Sequence, residues 1–395
     1  MPIASHRGRG DERAAVIPSE FLPLFDDAFV RSCDLIEEYV ARLALDAFRS
    51  TGLEQAFVEE TTADEAITRA GLAPAVARVP VAWLLRLLES RGWIERAAGS
   101  DGDERYRIAQ RLPLLDPNEV ADQQAAHDPR CLPAYRISAL AAAHYPTILR
   151  GDETGEETLF APERLGVWAE YFCNANPLYA IANSIGAIAA ERTLAKGAIA
   201  VLEIGGGLGS ACEALLERLN GMGHGADIYS YRFTDIVPGF LRRAKKTLAA
   251  RFSDQRITFG MLDIDRPFAE GGVAPGTCSL VYGVNTLHVA RDLGFTLGEI
   301  RRALAPGGAL VAAECTRPFP GKPLHVEFVF NLLASFRDAV LVADWRPNAG
   351  FLTPEQWTLA LETNGFSDVE IVPDIAAIRE AYPQFVVATI VARRA

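Results

Sequence analysis

The apolar positions change period along the chain, and those changes mark out its elements. From Phe21 to Ser50 they recur at helical spacing (Phe29, Leu35, Tyr39, Leu43, Phe48), which predicts one or two helices. Thr61-Thr62-Ala63-Asp64 opens a short helix that stops at Gly71. A longer one from about Pro80 to Arg91 carries Val81, Leu84, Leu85 and Leu88. Pro80 suits a first helical position, where its missing N–H leaves no bond unmade. Two short strand-like pieces, Trp93 to Arg96 and Tyr106 to Ile108, flank the turn Gly99-Ser100-Asp101-Gly102-Asp103. A proline-bearing connector (Pro117, Pro129, Pro133, Pro146) then passes through the acidic run Asp152 to Glu157, read as solvated loop.

From about Leu159 the pattern becomes an alternation of strands and helices. An aromatic stretch, Trp168 to Tyr179, comes first; it reads either as a helix packed on a sheet or as a lid over a site. Ala198 to Leu202 is a buried parallel strand, followed by Gly205-Gly206-Gly207-Leu208-Gly209 and a helix bearing Ala211, Leu215, Leu216 and Leu219. Ile228 to Thr234 and Ile257 to Leu262 are strands closed by Asp235 and Asp263, with a helix from Phe240 to Phe252 between them. Ser279 to Val284 is a strand followed by Asn285-Thr286-Leu287-His288. A helix from Leu293 to Leu304 stops at Pro306-Gly307-Gly308, and Ala309 to Ala313 is a strand ending in Glu314. Thr353-Pro354-Glu355-Gln356 is a capping box whose helix Gly365 closes. Val369 to Val372 and Phe385 to Val391 have only a short connection, which favours antiparallel pairing. The expected class is α/β: a Rossmann-like sheet with an antiparallel last strand, preceded by a mostly helical domain. Expected boundaries are a loose tail (1–20), a helical domain with a small hairpin (21–115), a connector (116–158) and the sheet domain (159–395).

Composition narrows the function classes. The 395 residues are long enough for two domains, and at 49% hydrophobic and 23% charged they have the balance of a globular protein with ample material for a core. No apolar run reaches membrane-spanning length, and residues 1–20 lack the apolar core of a signal peptide. Six cysteines without a CxxC pair suit reduced thiols and a cytoplasmic location, and no metal site is expected. A formal charge of −12 argues against general affinity for nucleic acid or anionic membranes.

Strand, glycine turn and helix open a nucleotide-binding unit, but the loop alone does not separate ligands. The third glycine of a dinucleotide spacing would fall at Ser210, and Glu203 stands two residues before Gly205. Asp235, at the end of the second strand, can accept both hydroxyls of a ribose; Asp263 sits where an adenine amino group needs an acceptor. Either acid alone is an ordinary strand-end cap. His288 and Glu314 follow strands expected to be neighbours, so both face one crevice. A carboxylate on one imidazole nitrogen makes the other a better base. The bland reading is a backbone-bonded His and a surface Glu.

The E-x-G-x-G-x-G form at Glu203 to Gly209 resembles the first motif of class I S-adenosylmethionine (SAM) methyltransferases. Phe233-Thr234-Asp235-Ile236-Val237-Pro238-Gly239-Phe240, Leu262-Asp263-Ile264, Asn285 to His288 and Pro306-Gly307-Gly308 resemble the carbon-methyltransferase domains of polyketide synthases over about Leu159 to Ala395. That resemblance implies SAM contacts at Glu203, Gly205, Gly207, Asp235, Ile236, Asp263, Ile264 and Asn285, and a His288–Glu314 base. It also implies substrate or lid positions at Tyr171, Phe172, Asn176, Tyr179, Arg317, Asn331 and Trp345. Residues 21–115 resemble the winged-helix dimerisation domain of small-molecule O-methyltransferases, which implies a homodimer. The expected activity is carbon methylation next to a carbonyl on a small-molecule or thioester acceptor in secondary metabolism. O- or S-methylation is the alternative, and a non-catalytic winged-helix regulator a remote one.

Overall fold

The computed structural model describes residues 10–98, 103–108, 110–194, 198–253 and 256–395. The chain divides into two compact units. One holds Arg31–Leu178 and Phe319–Ala339; the other holds Met1–Val30, Tyr179–Pro318 and Val340–Ala395. This division differs from the one expected at residues 20, 115 and 158. A helix forms at Gly10–Val16, and Ile17, Phe21, Phe25 and Val30 are buried in the core of the sheet unit, because that apolar run has a hydrophobic partner there.

The first unit is mostly helical, with a small sheet. Strands β1 (Thr61–Thr62), β2 (Glu95–Ala98) and β3 (Glu104–Arg107) pair antiparallel in the order β1-β3-β2. The turn expected between the last two falls largely on residues 99–102, outside the described residues. Thr62 caps the helix Ala63–Arg69 through a capping box with Glu65. The longer helix runs over Pro74–Ser90, so Pro74 takes the first-turn position and Pro80 lies buried inside. Leu84, Leu85 and Leu88 on it are buried. The acidic stretch is not wholly loop, since Thr154 caps a short helix at Gly155–Leu159.

The second unit is built on a seven-stranded sheet of β4 (Ile199–Ile204), β5 (Ile228–Asp235), β6 (Ile257–Met261), β7 (Cys278–Val284), β8 (Leu304–Cys315), β9 (Phe366–Val372) and β10 (Val387–Arg394). Their order is β6-β5-β4-β7-β8-β10-β9. β4 to β8 pair in parallel, while β10 runs antiparallel to both β8 and β9. β8 is longer than expected. It starts at Leu304, takes in Pro306-Gly307-Gly308, and places Glu314 one residue before its end. Side chains alternate across the pleat into two cores. Leu280, Tyr282, Val311 and Ala313 face one, with the helices Pro177–Thr193 and Ser210–Gly221. Val281, Leu310 and Ala312 face the other, with the helices Leu293–Ala303 and Pro354–Thr363. The order reverses at β4, whose neighbours β5 and β7 lie on opposite sides. Such a switch point puts a crevice at the carboxyl ends of the strands.

Candidate active site

The glycine loop leaves β4 at that switch point. Gly205, Gly207 and Gly209 have φ of 59°, 57° and 92°, a region that penalises side chains. A Cβ on Gly205 would stand 2.5 Å from the Thr286 side chain, and one on Gly206 would stand 2.4 Å from the Phe233 ring. A Cβ on Gly207 would meet nothing within 4 Å, so this peptide borders open space that a ligand can enter. The Asp235 carboxylate fixes the loop: Gly207 N–H donates to Oδ2 at 2.8 Å and Val237 N–H to Oδ1 at 2.7 Å. Each oxygen keeps a lone pair for a ribose hydroxyl. Burial pushes the Asp235 carboxyl up from its usual range, opposed by those N–H donors. Ile236 beside it is exposed.

Asp263 is half-buried after β6, and its Oδ1 accepts the Asp265 N–H at 3.0 Å. Ile264 packs against the second core and its carbonyl accepts the Thr296 hydroxyl. Glu203 lies beneath the loop, buried and accepting the Tyr231 hydroxyl at 2.8 Å; burial pushes its carboxyl up to about 8.

His288 and Glu314 meet in the same crevice. β7 and β8 are parallel neighbours, and the Leu287–Val289 turn follows β7. His288 Nδ1 lies 2.6 Å from Glu314 Oε2, with the two residues 4% and 0% exposed. Glu314 Oε1 accepts the backbone N–H groups of Thr286 (2.8 Å) and Leu287 (2.6 Å), so the turn itself solvates the carboxylate. The Phe351 ring lies 4.5 Å from the imidazole, centroid to centroid. Asn285 adopts φ 51°, a left-handed conformation that asparagine tolerates better than most residues. Its amide oxygen is buried without a hydrogen-bond partner in the structure. Tyr179 joins this cluster through Ser210 and Asn285, and burial raises its phenol well above the usual value.

The remaining substrate or lid positions separate. Arg317 is in the sheet unit, its Nε donating to the Phe351 carbonyl at 3.3 Å. Trp345 is there too, buried in the second core with Trp357. Tyr171, Phe172, Asn176 and Asn331 belong to the helical unit. Tyr171 and Phe172 pack on Trp168 at 6.0 and 5.2 Å, and Asn176 donates to the Tyr171 carbonyl at 3.0 Å. Two contributors had no sequence signal. Phe351 faces the imidazole, and Arg346 Nη2 donates to the His288 carbonyl at 3.0 Å. Both lie in an aperiodic segment, where spacing carries no information.

The site fits SAM. Open space beside Gly207, the two lone-pair-bearing acids and the orphaned Asn285 oxygen match a ligand with hydroxyls, an amino group and no phosphate. Among the described residues no cluster of metal ligands is present.

Residues 202–310 match the family model of the methyltransferase domain. Highly reducing polyketide synthase 2 of Gibberella zeae is 28% identical over 286 residues, 71% of this chain. The match spans only 11% of that synthase's length. The crystal structure of the CurJ carbon methyltransferase superposes with a TM-score of 0.77 at 23% identity, covering 98% of each chain. The trans-methyltransferase CalH, solved with S-adenosylhomocysteine (SAH), superposes with a TM-score of 0.63 at 21% identity, covering 94% of this chain and 93% of that one. Residues 202–310 therefore form an S-adenosylmethionine-dependent methyltransferase domain, carried on a class I fold that resembles the carbon-methyltransferase domains of polyketide synthases.

Proposed function

We propose that the protein methylates an activated carbon next to a carbonyl, on a small-molecule or thioester acceptor of polyketide type. The observation that carries the reading is the buried His288–Glu314 pair at the ends of β7 and β8, on the same crevice as the glycine loop. Glu203, Gly205, Gly207, Asp235, Ile236, Asp263, Ile264 and Asn285 hold the cofactor. Bound SAM supplies an electrophilic methyl group on a sulfonium.

His288 Nε2 takes the proton from the acceptor carbon, and the electron pair left behind is the nucleophile. Glu314 holds Nδ1–H and stabilises the imidazolium that forms. Phe351 shields the ring from water. Tyr179 and Arg317 belong to the acceptor side in this reading, with Tyr171, Phe172, Asn176, Asn331 and Trp345 as lid or supporting positions.

The proposal includes a homodimer formed through residues 21–115, and no nucleic-acid role for that region. Arg78 pairs with Asp64 at 2.9 Å, Arg91 with Glu38 at 2.6 Å and Arg107 with Glu95 at 2.7 Å, leaving these cations poorly placed for phosphates.

The test is incubation with SAM and a β-ketoacyl thioester, with NMR location of the new methyl. A product methylated at the carbon between the carbonyls is expected. A methyl on oxygen, or transfer to sulfur or phenols only, overturns the reading.

A further inference from the structure

The turn that carries His288 is gripped from outside by a buried guanidinium. Arg346 is 1% exposed. Its main chain is fixed against Val342 by two hydrogen bonds, of 2.7 and 3.0 Å. Its side chain forks: Nη2 donates to the His288 carbonyl at 3.0 Å and Nη1 to the Arg291 carbonyl at 3.2 Å. The charged groups facing it are Asp265 and Asp292. Asp265 also holds the turn, accepting the Arg291 N–H at 2.8 Å. A buried cation whose hydrogen-bond partners are carbonyls is costly to keep. The two carbonyls lie three residues apart and span the backbone that carries the imidazole. A planar guanidinium presents its two donors in a fixed fork, whereas a lysine ammonium is a point charge on a flexible stem and holds no such fixed pair.

We propose that Arg346 is a positioning residue for His288. It clamps the turn from His288 to Arg291 so that Nδ1 stays on Glu314 and Nε2 stays aimed into the crevice. This rests on the reading of His288 as the base. The guanidinium bonds to the main chain of the turn, and its effect passes through that backbone.

The test uses the full chain with Arg346→Gln and Arg346→Lys, beside His288→Asn. SAH affinity by calorimetry should stay within about threefold. Turnover of Arg346→Gln should fall about 10- to 100-fold, the range expected when a reacting group shifts by about an ångström. Its KM for the acceptor should change little, and Arg346→Lys should recover part of the loss. The downfield proton resonance of His288 Nδ1–H, assigned by its loss in His288→Asn, should weaken or shift in ligand-free Arg346→Gln. A merely structural contact would lower the melting temperature without moving that resonance.

Folded Arg346→Gln with wild-type turnover and an unchanged resonance overturns the clamp. Should Arg346→Gln fail to fold, Arg346→Lys decides on the same two readouts. The resonance needs no acceptor, so the two readings fail separately. A moved resonance in a protein inactive on every carbon acceptor sinks the base role and leaves the clamp. Normal carbon methylation by both variants sinks the clamp alone.

Discussion

Replacing Glu314 by Gln tests the base through its hydrogen-bond arithmetic. The carboxylate accepts three N–H groups: Thr286 and Leu287 on Oε1, and His288 on Oε2. The amide has one oxygen and one NH₂. With its NH₂ toward the backbone it would confront two donors; toward His288 it confronts one, so the oxygen stays on the turn and the NH₂ faces the ring. Nδ1 must then become the acceptor, and the neutral imidazole carries its proton on Nε2. The nitrogen that should take the substrate proton is already occupied. Loss of a general base typically costs about 10²–10⁴-fold, and a wrong tautomer held in place belongs near the upper end, about 10⁴ in the serine-protease case. That is about 5 kcal/mol of transition-state stabilisation at 1.36 kcal/mol per tenfold. The assay is single-turnover transfer to a β-ketoacyl thioester, with SAH calorimetry as the control. His288→Ala combined with Glu314→Gln should be little slower than His288→Ala alone, because the two act as one unit. Turnover within about threefold of wild type, or additive losses, refutes the reasoning.

Three further outcomes follow from the geometry. Gly205→Val forces a side chain into Thr286 at a φ that adds about 1–2 kcal/mol of strain, so SAH binding should be lost and the melting temperature lowered, as calorimetry will show. Asp235→Ala strands the Gly207 and Val237 N–H groups and removes the ribose acceptor; SAH affinity should weaken about 10- to 100-fold in titration. Burial pushes the Glu203 carboxyl up to about 8 from about 4.3 in the unfolded chain, so its contribution to stability is complete below pH ~4.3 and is lost as pH rises through about 8. Melts of the ligand-free protein should show this decline, and Glu203→Gln should flatten it.

The strands of the sheet unit were legible because each is a short apolar run bounded by turn residues, and their order followed from alternation with helices. Asp235, Asp263 and Glu314 stood out as polar residues ending such runs. Pro80 was misplaced because a second proline six residues earlier fills the first turn, and burial holds the interior ring. The unit boundaries were hidden for a different reason. Phe21 and Phe25 read as one face of an amphipathic region, but periodicity does not say which core a face joins. Arg346 and Phe351 act through a carbonyl and a ring face in irregular chain, where only the folded backbone brings them to His288.

The interleaving of the two units also sets a clock. The Phe25 and Phe385 rings pack 4.9 Å apart, yet 360 residues separate them in the chain. At about 5–20 residues per second a ribosome needs roughly 20–70 s to make the second ring after the first. Through that interval Ile17, Phe21 and Phe25 emerge without the surface that buries them, while most of the other unit, Arg31–Leu178, is made before the first strand of the sheet. Residues 17–25 of the nascent chain are thus an exposed apolar segment in need of a holder. A shortened protein that starts at the first strand of the sheet would show the reverse fault, a core with its closing aromatic missing.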